Sequence, residues 1–363
     1  MLVRRPADLA LPDGVLALDT EFHTEKRYVP RLHLIQVRAP TGPAFLIDPH
    51  VPGLLEGVAP VLLGRPWIVH AGRVDLELLA LALGGVPEVV LDTQIAAGLL
   101  SSRYPMSLER LLGEHLGVAI DKSETLSDWS QRPLAEAQLA YAAADVAHLH
   151  DLWAALDQKA EALGRADAVR DASATARREA LEPRPLDDAW LDLPGRRPLT
   201  PERAVVLREL AAWREATARA TNQPPGSVLG NHVLFDLAKR RPLTPEALLS
   251  GRRSPKAALT RYSDEILACV ARASGSPAVA VPPTFPAGSV FEARLAWLEA
   301  YAVAHGLAES WSARLVLPGP ALEAIAHGMQ AADVLHGWQH RLAGAKLDAV
   351  LAGEGGIPCP RIP

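Results

Sequence analysis

The sequence predicts an α/β domain, a mixed sheet flanked by helices, followed by two all-α modules. Three observations carry this. Residues 14 to 93 hold short apolar runs of strand length that give way to helix–strand alternation. After residue 93 the pattern turns helical, and two proline-rich stretches then divide the rest of the chain.

In order, "VLALDTEF" (15–22), "LHLIQVRA" (32–39) and "AFLIDP" (44–49) have strand length and composition. Short turns between them suggest antiparallel neighbours. A helix near residues 53 to 63 precedes the strand "PWIVH", then the helical "GRVDLELLALAL" and the short strand "VVLDT". This later alternation suggests parallel neighbours, and hence a mixed sheet. The Ala-rich stretch "AEAQLAYAAADVAHLHDLWAALDQKAEAL" has few breakers and is expected as a long helical segment. The segment from 181 to 202 carries five prolines and interrupts every periodicity, as a linker does. Beyond it, "SVLGNHVLFDLA" from Ser227 resembles "LVLPGPALEAIA" from Leu315, a faint repeat displaced by 88 residues. "SGSPAVAVPPTFPAGS" separates the two copies. The expected division is 1–180, a linker at 181–195, a module at 196–275, a second linker at 276–284, and a second module at 285–355.

Composition bounds the function. A chain of 363 residues exceeds one hydrophobic core, and 49% apolar with 22% charged residues describes a globular protein. There is no run of 18 apolar residues, and Asp8, Pro12 and Asp13 interrupt the opening where a signal peptide needs an apolar segment. A cytoplasmic protein with no membrane partner is expected. Cys269 and Cys359 are too far apart for a CxxC metal site, so any metal would be held by oxygen. The net charge of −5 is unevenly shared: residues 1–165 hold 14 Lys/Arg against 21 Asp/Glu, whereas residues 196–275 hold 14 against 7. The first module is therefore basic, while the second holds 4 against 7.

Asp19 and Glu21 stand two apart at a strand end, so both carboxylates project from one face. Such neighbours repel unless they are solvated or share a divalent cation. Asp75 falls in the first turn of a helix, and Tyr141 and Asp145 are four apart on another. Taken singly, each has an ordinary alternative: a solvated strand end, a helix N-terminal acid, a surface acid beside a core tyrosine. Converging, four acids suit phosphoryl chemistry with two cations about 4 Å apart. All-oxygen ligation selects Mg²⁺ or Mn²⁺, and Tyr141, one turn from a ligand, could orient the attacking water.

These segments resemble ribonuclease D, in the DEDD superfamily of 3′ to 5′ exonucleases with a ribonuclease H-like fold. "LALDTEF" looks like its first motif and "VHAGRVDLELL" like its second. "LAYAAADVAHL" looks like its third, in the version with Tyr four before the last Asp. "IDKSETLSDWSQRPL" resembles the stretch before that motif. The resemblance implies metal ligation by Asp19, Glu21, Asp75 and Asp145, with Tyr141 positioning the water. It also implies that Phe22, Gln36, His70, Lys122 and Trp129 hold the 3′-terminal nucleotides. The helical modules resemble HRDC domains, the first well and the second in degenerate form. Arg214, Lys239, Arg240, Arg241, Arg252 and Arg253 are the phosphate-contact candidates of the first, and the second is expected to pack rather than grip RNA.

The expected activity is that of a metal-dependent 3′–5′ exoribonuclease, releasing nucleoside monophosphates from RNA with a single-stranded 3′ end, tRNA precursors being the family's usual class. The protein would act as a monomer with no obligate protein partner. A DNA exonuclease, or an RNA-binding scaffold without activity, are the alternatives. Removing residues 196–363 is expected to flatten the salt dependence of RNA affinity.

Overall fold

The computed structural model describes residues 1–353 except 25, 121–123, 125–126, 183–184, 192, 194–199, 252–254 and 277–288. Its six strands are β1 (Leu2–Val3), β2 (Leu16–His23), β3 (Arg31–Arg38), β4 (Phe45–Ile47), β5 (Trp67–Val69) and β6 (Val90–Asp92), ordered β1-β4-β3-β2-β5-β6 across one sheet. β4 runs antiparallel to β3, while β5 pairs in parallel with both β2 and β6. The sheet is therefore mixed, as the change from turns to alternation predicted. β1, parallel to β4, has no signal in the sequence, because two residues are too few to show a period.

Side-chain alternation along β2 sorts the two faces. Leu16 and Leu18 join a core with Ile35, Ile47, Trp67 and Leu79, covered by α1 (Leu54–Leu63) and α2 (Arg73–Leu83). Ala17 faces the other way, packing with Ile68, Val146 and Leu149. Asp19 and Glu21 continue the Ala17 row, towards the side where α5 (Glu136–Asp145) and α6 (Leu149–Ala162) lie. The Ala-rich stretch is thus two helices rather than one. The chain turns at Val146–His148, where Val146 is fully buried and Arg38 Nη1 binds the Ala147 carbonyl at 2.7 Å. Tertiary contacts override helix propensity there, and Asp145 becomes the last residue of its helix.

The molecule divides into two compact units, residues 1–22 with 32–182 and 286–363, and residues 23–31 with 183–285. In the first unit, α3 (Thr93–Leu100), α4 (Leu108–Leu116), α6 and α7 (Ala166–Leu181) share one core with the C-terminal helices. Those helices are α14 (Val290–Glu309), α15 (Ala313–Val316), α16 (Gly319–Ala326), α17 (Ala331–Val334), α18 (Gly337–Gln339) and α19 (Ala345–Leu351). Leu99, Leu152 and Leu156 pack with Leu298, Tyr301 and Trp311. This corrects the truncation proposed from sequence: deleting residues 196–363 would strip that core, so the basic module has to be tested by point substitutions.

In the second unit, α8 (Pro201–Thr221), α9 (Pro225–Val228), α10 (Asn231–Arg240), α11 (Pro245–Leu249), α12 (Lys256–Arg261) and α13 (Ser263–Ala273) enclose Leu207, Leu210, Leu234, Leu237 and Ile266. Segment 23–31 packs with them. The Asn222 carboxamide accepts from the Tyr28 and Val29 N–H groups at 3.2 and 3.0 Å, and Tyr28 Oη is hydrogen-bonded to Glu215 and to Arg219. The faint repeat reappears as helix bounds: α9 and α15, like the starts of α10 and α16, lie 88 residues apart. So do Asn222 and Ser310, left-handed C-caps at φ 48° and 58° that end α8 and α14.

Candidate active site

Oxygen atoms of Asp19, Glu21 and Asp145 lie within 4.8 Å of one another. β2 supplies two through its period of two, and α5 brings the third from its final turn. Thr20, between the first two acids, points to the opposite face and donates its hydroxyl to Asp75. Thr20 and Asp75 are 6% and 8% exposed, so this hydrogen bond fixes the first turn of α2 against the strand in a buried setting. Asp75 is thus tied to the acidic strand through Thr20, standing apart from the group of three.

A second acid orients the Asp75 segment. Asp92, at the end of β6, caps α3 by accepting from Gln94 and Ile95 N–H groups at 2.8 and 3.3 Å. Its carboxylate also holds Ala71 and Gly72 N–H at 3.1 and 3.0 Å. That grip keeps Ala71 at φ 55°, and a Cβ on Gly72 would fall 2.5 Å from a Val69 methyl. Only glycine fits there. Asp92 is not among the residues singled out from the sequence, although an Asp-Thr pair that ends a strand before a helix is an N-cap signal able to find it. No sequence signal pointed to Thr20.

The electrostatics ask for a cation. Burial, followed by the charges of Asp75, Asp145 and Glu21, pushes the Asp19 carboxyl well above the usual carboxylate range. Glu21 is pushed up to about 8 by burial and by Asp145 and Asp75. Burial pushes Asp75 up to about 6, against the Thr20 hydroxyl, which pulls it down. The charges acting on Asp19 and Glu21 are all other carboxylates. Clustered oxygens without a compensating basic group fit a divalent metal.

The other predicted contacts separate by burial. Gln36 is fully buried, with Nε2 3.5 Å from Glu21 Oε1. Trp129 is core, packed with Leu34, Leu46 and Ala142, its ring 6.0 Å from that of Tyr141. In this position it supports Tyr141 rather than presenting a face to a nucleotide. His70 Nδ1 lies 2.9 Å from Thr93 Oγ1, and burial holds the imidazole below its usual range, hence neutral. Phe22 is half-buried on β2 beside Glu21. Lys122, Arg252 and Arg253 lie outside the described residues.

In the second unit Arg214 requires correction. It is 6% exposed and donates to the Leu229 carbonyl and Asn231 Oδ1 at 3.0 and 2.7 Å. Its guanidinium joins α8 to α10 and is not a surface cation. Arg240 is half-buried, bound to Asp236 and to the Ala247 carbonyl at 2.7 and 2.8 Å. Lys239 and Arg241 are exposed.

Family models match two parts of the chain: a 3'-5' exonuclease over residues 4–161 and an HRDC domain over residues 203–270. Ribonuclease D of Gluconacetobacter diazotrophicus is 34% identical over 274 residues, covering 74% of this chain and 68% of that protein. Ribonuclease D of Desulfotalea psychrophila is 32% identical over 283 residues, covering 77% and 75%. The crystal structure of Escherichia coli RNase D, described as an exoribonuclease involved in structured RNA processing, superposes with a TM-score of 0.80. The two are 25% identical, over 98% of this chain and 99% of that one. Motif order, acidic geometry and whole-length likeness agree: the chain belongs to the ribonuclease D family, whose members are 3′–5′ exoribonucleases.

Proposed function

We propose that the chain trims RNA from its single-stranded 3′ end, one nucleoside monophosphate at a time, with tRNA precursors and other structured RNAs as substrates. The observation that carries this is the group of three carboxylate oxygens within 4.8 Å, where every charge acting on Asp19 and Glu21 is itself acidic. Asp19, Glu21 and Asp145 would hold a divalent cation, and Asp75 would complete the site for a second. Mg²⁺ and Mn²⁺ suit the oxygen donors. Bound there, the ions would supply an activated water and steady the leaving oxygen. The chain's own residues do the positioning: Gln36 steadies Glu21, Trp129 backs Tyr141, and the Tyr141 hydroxyl, four residues before Asp145 on α5, turns the water for in-line attack. Discrimination of RNA from DNA would rest on contact with the terminal 2′-OH. A cytoplasmic setting and a monomeric working form complete the reading. No helix among the described residues is long and apolar enough to cross a membrane.

The test uses a 3′-labelled RNA duplex with a single-stranded tail, with and without Mg²⁺. Mononucleotides should appear with metal and be absent in EDTA, and a matched tail ending in 2′-deoxynucleotides should be cut more slowly. Metal-independent release would sink the proposal. Equal cutting of the deoxy tail would favour a general 3′–5′ exonuclease.

The first helical module would hold the RNA body, and the second serves as a packing element of the first unit. Lys239→Ala with Arg241→Ala should weaken RNA binding at low salt and make the slope of log affinity against log salt shallower by about 2, one for each phosphate no longer neutralised. Filter binding across a range of roughly 50 to 300 mM salt measures this. An unchanged slope would place the gripping surface elsewhere.

A further inference from the structure

A cavity of about 360 Å³ lies within the first unit, between the start of α2, the start of α3, α7 and the C-terminal helices. It is the size of a small-ligand site. Its lining includes none of Asp19, Glu21, Tyr141 and Asp145.

Its charges are unequally engaged. Asp92 is occupied by four backbone N–H groups. Glu179 Oε1 lies 3.1 Å from His336 Nε2, Arg73 pairs with Glu77 at 3.4 Å, and Arg177 Nε binds the Pro87 carbonyl at 2.6 Å. Arg314 is exposed and has no ion pair or hydrogen bond with the other described residues. Its charge is felt at the Tyr104 hydroxyl, which also lines the cavity. Trp338, 5% exposed, carries an Nε1 N–H with no acceptor among the described residues. The exposed guanidinium is open to pair with an anion, and the orphaned buried N–H calls for an acceptor. Tyr104, Ile95 and Leu315 also line the cavity and offer an apolar wall for a flat group.

We infer that this cavity binds a free nucleoside monophosphate, with its phosphate on Arg314 and its base against Tyr104. The inference rests on the proposed function for the source of the ligand, since the reaction would release that molecule. The nucleotide would sit behind the Ala71–Arg73 turn that leads to Asp75, outside the acidic site itself.

Calorimetry on the full chain in EDTA tests it, because the metal-free acidic group repels a phosphate dianion. AMP, adenosine and inorganic phosphate are titrated into wild type, Arg314→Ala and Arg314→Lys. Arg314 is exposed, so neither substitution threatens the fold. AMP should bind with one equivalent, weaken by about tenfold or more in Arg314→Ala, and recover in part with lysine, as loss of a charge-assisted contact requires. Adenosine and phosphate alone should each bind at least about tenfold more weakly than AMP. No AMP binding in EDTA, equal affinity in wild type and Arg314→Ala, or phosphate binding as well as AMP would each overturn the site. Binding without RNA trimming would instead overturn the proposed activity and leave the site standing.

Discussion

Asp19→Asn should lower the rate of RNA trimming by on the order of 10³-fold while raising the melting temperature of the metal-free protein. The loss of rate arises because Asp19 is at the centre of the acidic group and an amide is a poor ligand for a hard cation, whose stabilisation of developing charge is a dominant catalytic contribution. The gain in stability comes from the same burial. Asp19 ionises against desolvation and three neighbouring carboxylates, so at neutral pH the native state either keeps a proton or carries a strained charge. Asparagine has the same shape without the charge. Each kcal/mol recovered shifts the transition by roughly 2–4 °C in a domain of this size. Saturating Mg²⁺ should reverse the ranking, because wild type gains binding free energy that the variant lacks. Thermal melts in EDTA and in Mg²⁺, run beside the RNA assay, read both effects. Retained activity would remove Asp19 from the metal site. A lower melting temperature in EDTA would show that its carboxylate stabilises the empty fold.

Metal-free stability should fall as pH rises through neutrality, and Mg²⁺ should cancel the fall. Glu21 has a native pKa of about 8 against an ordinary 4.5, and Asp75 about 6 against 3.8. Between each pair of values the native state holds a proton that the unfolded chain has released, so the slope of stability against pH is negative there. Stability is intact below the ordinary values, and the loss is complete above about 8. His70, His115 and His305 act oppositely. Burial lowers all three, so their contribution grows as pH rises to the ordinary histidine value and is flat above it. From about pH 6.5 to 8 the histidines therefore no longer oppose the carboxylates, and the Met1 amine, which burial lowers from its ordinary 8.0, offsets part of the fall. Mg²⁺ at about 100 times its dissociation constant adds about 2.7 kcal/mol, and less at acid pH, where protons compete for the ligands. Melts from about pH 5 to 9 with and without Mg²⁺ check this. A flat metal-free profile between about 6.5 and 8, or equal Mg²⁺ stabilisation at about pH 5 and pH 8, would contradict the raised carboxylates.

Much of the site was legible because it obeys local periods. The strand period of two puts Asp19 and Glu21 on the Ala17 row, and the helical i, i+4 relation pairs Tyr141 with Asp145. The switch from close-set strands to alternation announced the mixed sheet. The 88-residue repeat was faint in letters, yet the matching helix bounds and the caps at Asn222 and Ser310 make it plain. The misreadings share a cause. Arg214 counts as a positive charge in composition, but on α8 it turns inward to the α9–α10 junction. Trp129 sits in a segment rich in polar residues, yet it fills the space between β3, β4 and α5.

Sequence alone determined which residue types recur at strand and helix spacing, and so the class of fold, the identity of the acids and the basic character of the first module. Tertiary structure decided which surfaces cover one another. It bound Thr20 to Asp75, broke the Ala-rich helix at Asp145, and placed the C-terminal helices in one core with α3, α6 and α7. Periodicity states that a face is apolar, whereas its partner is chosen by shape and burial among segments far apart in the chain.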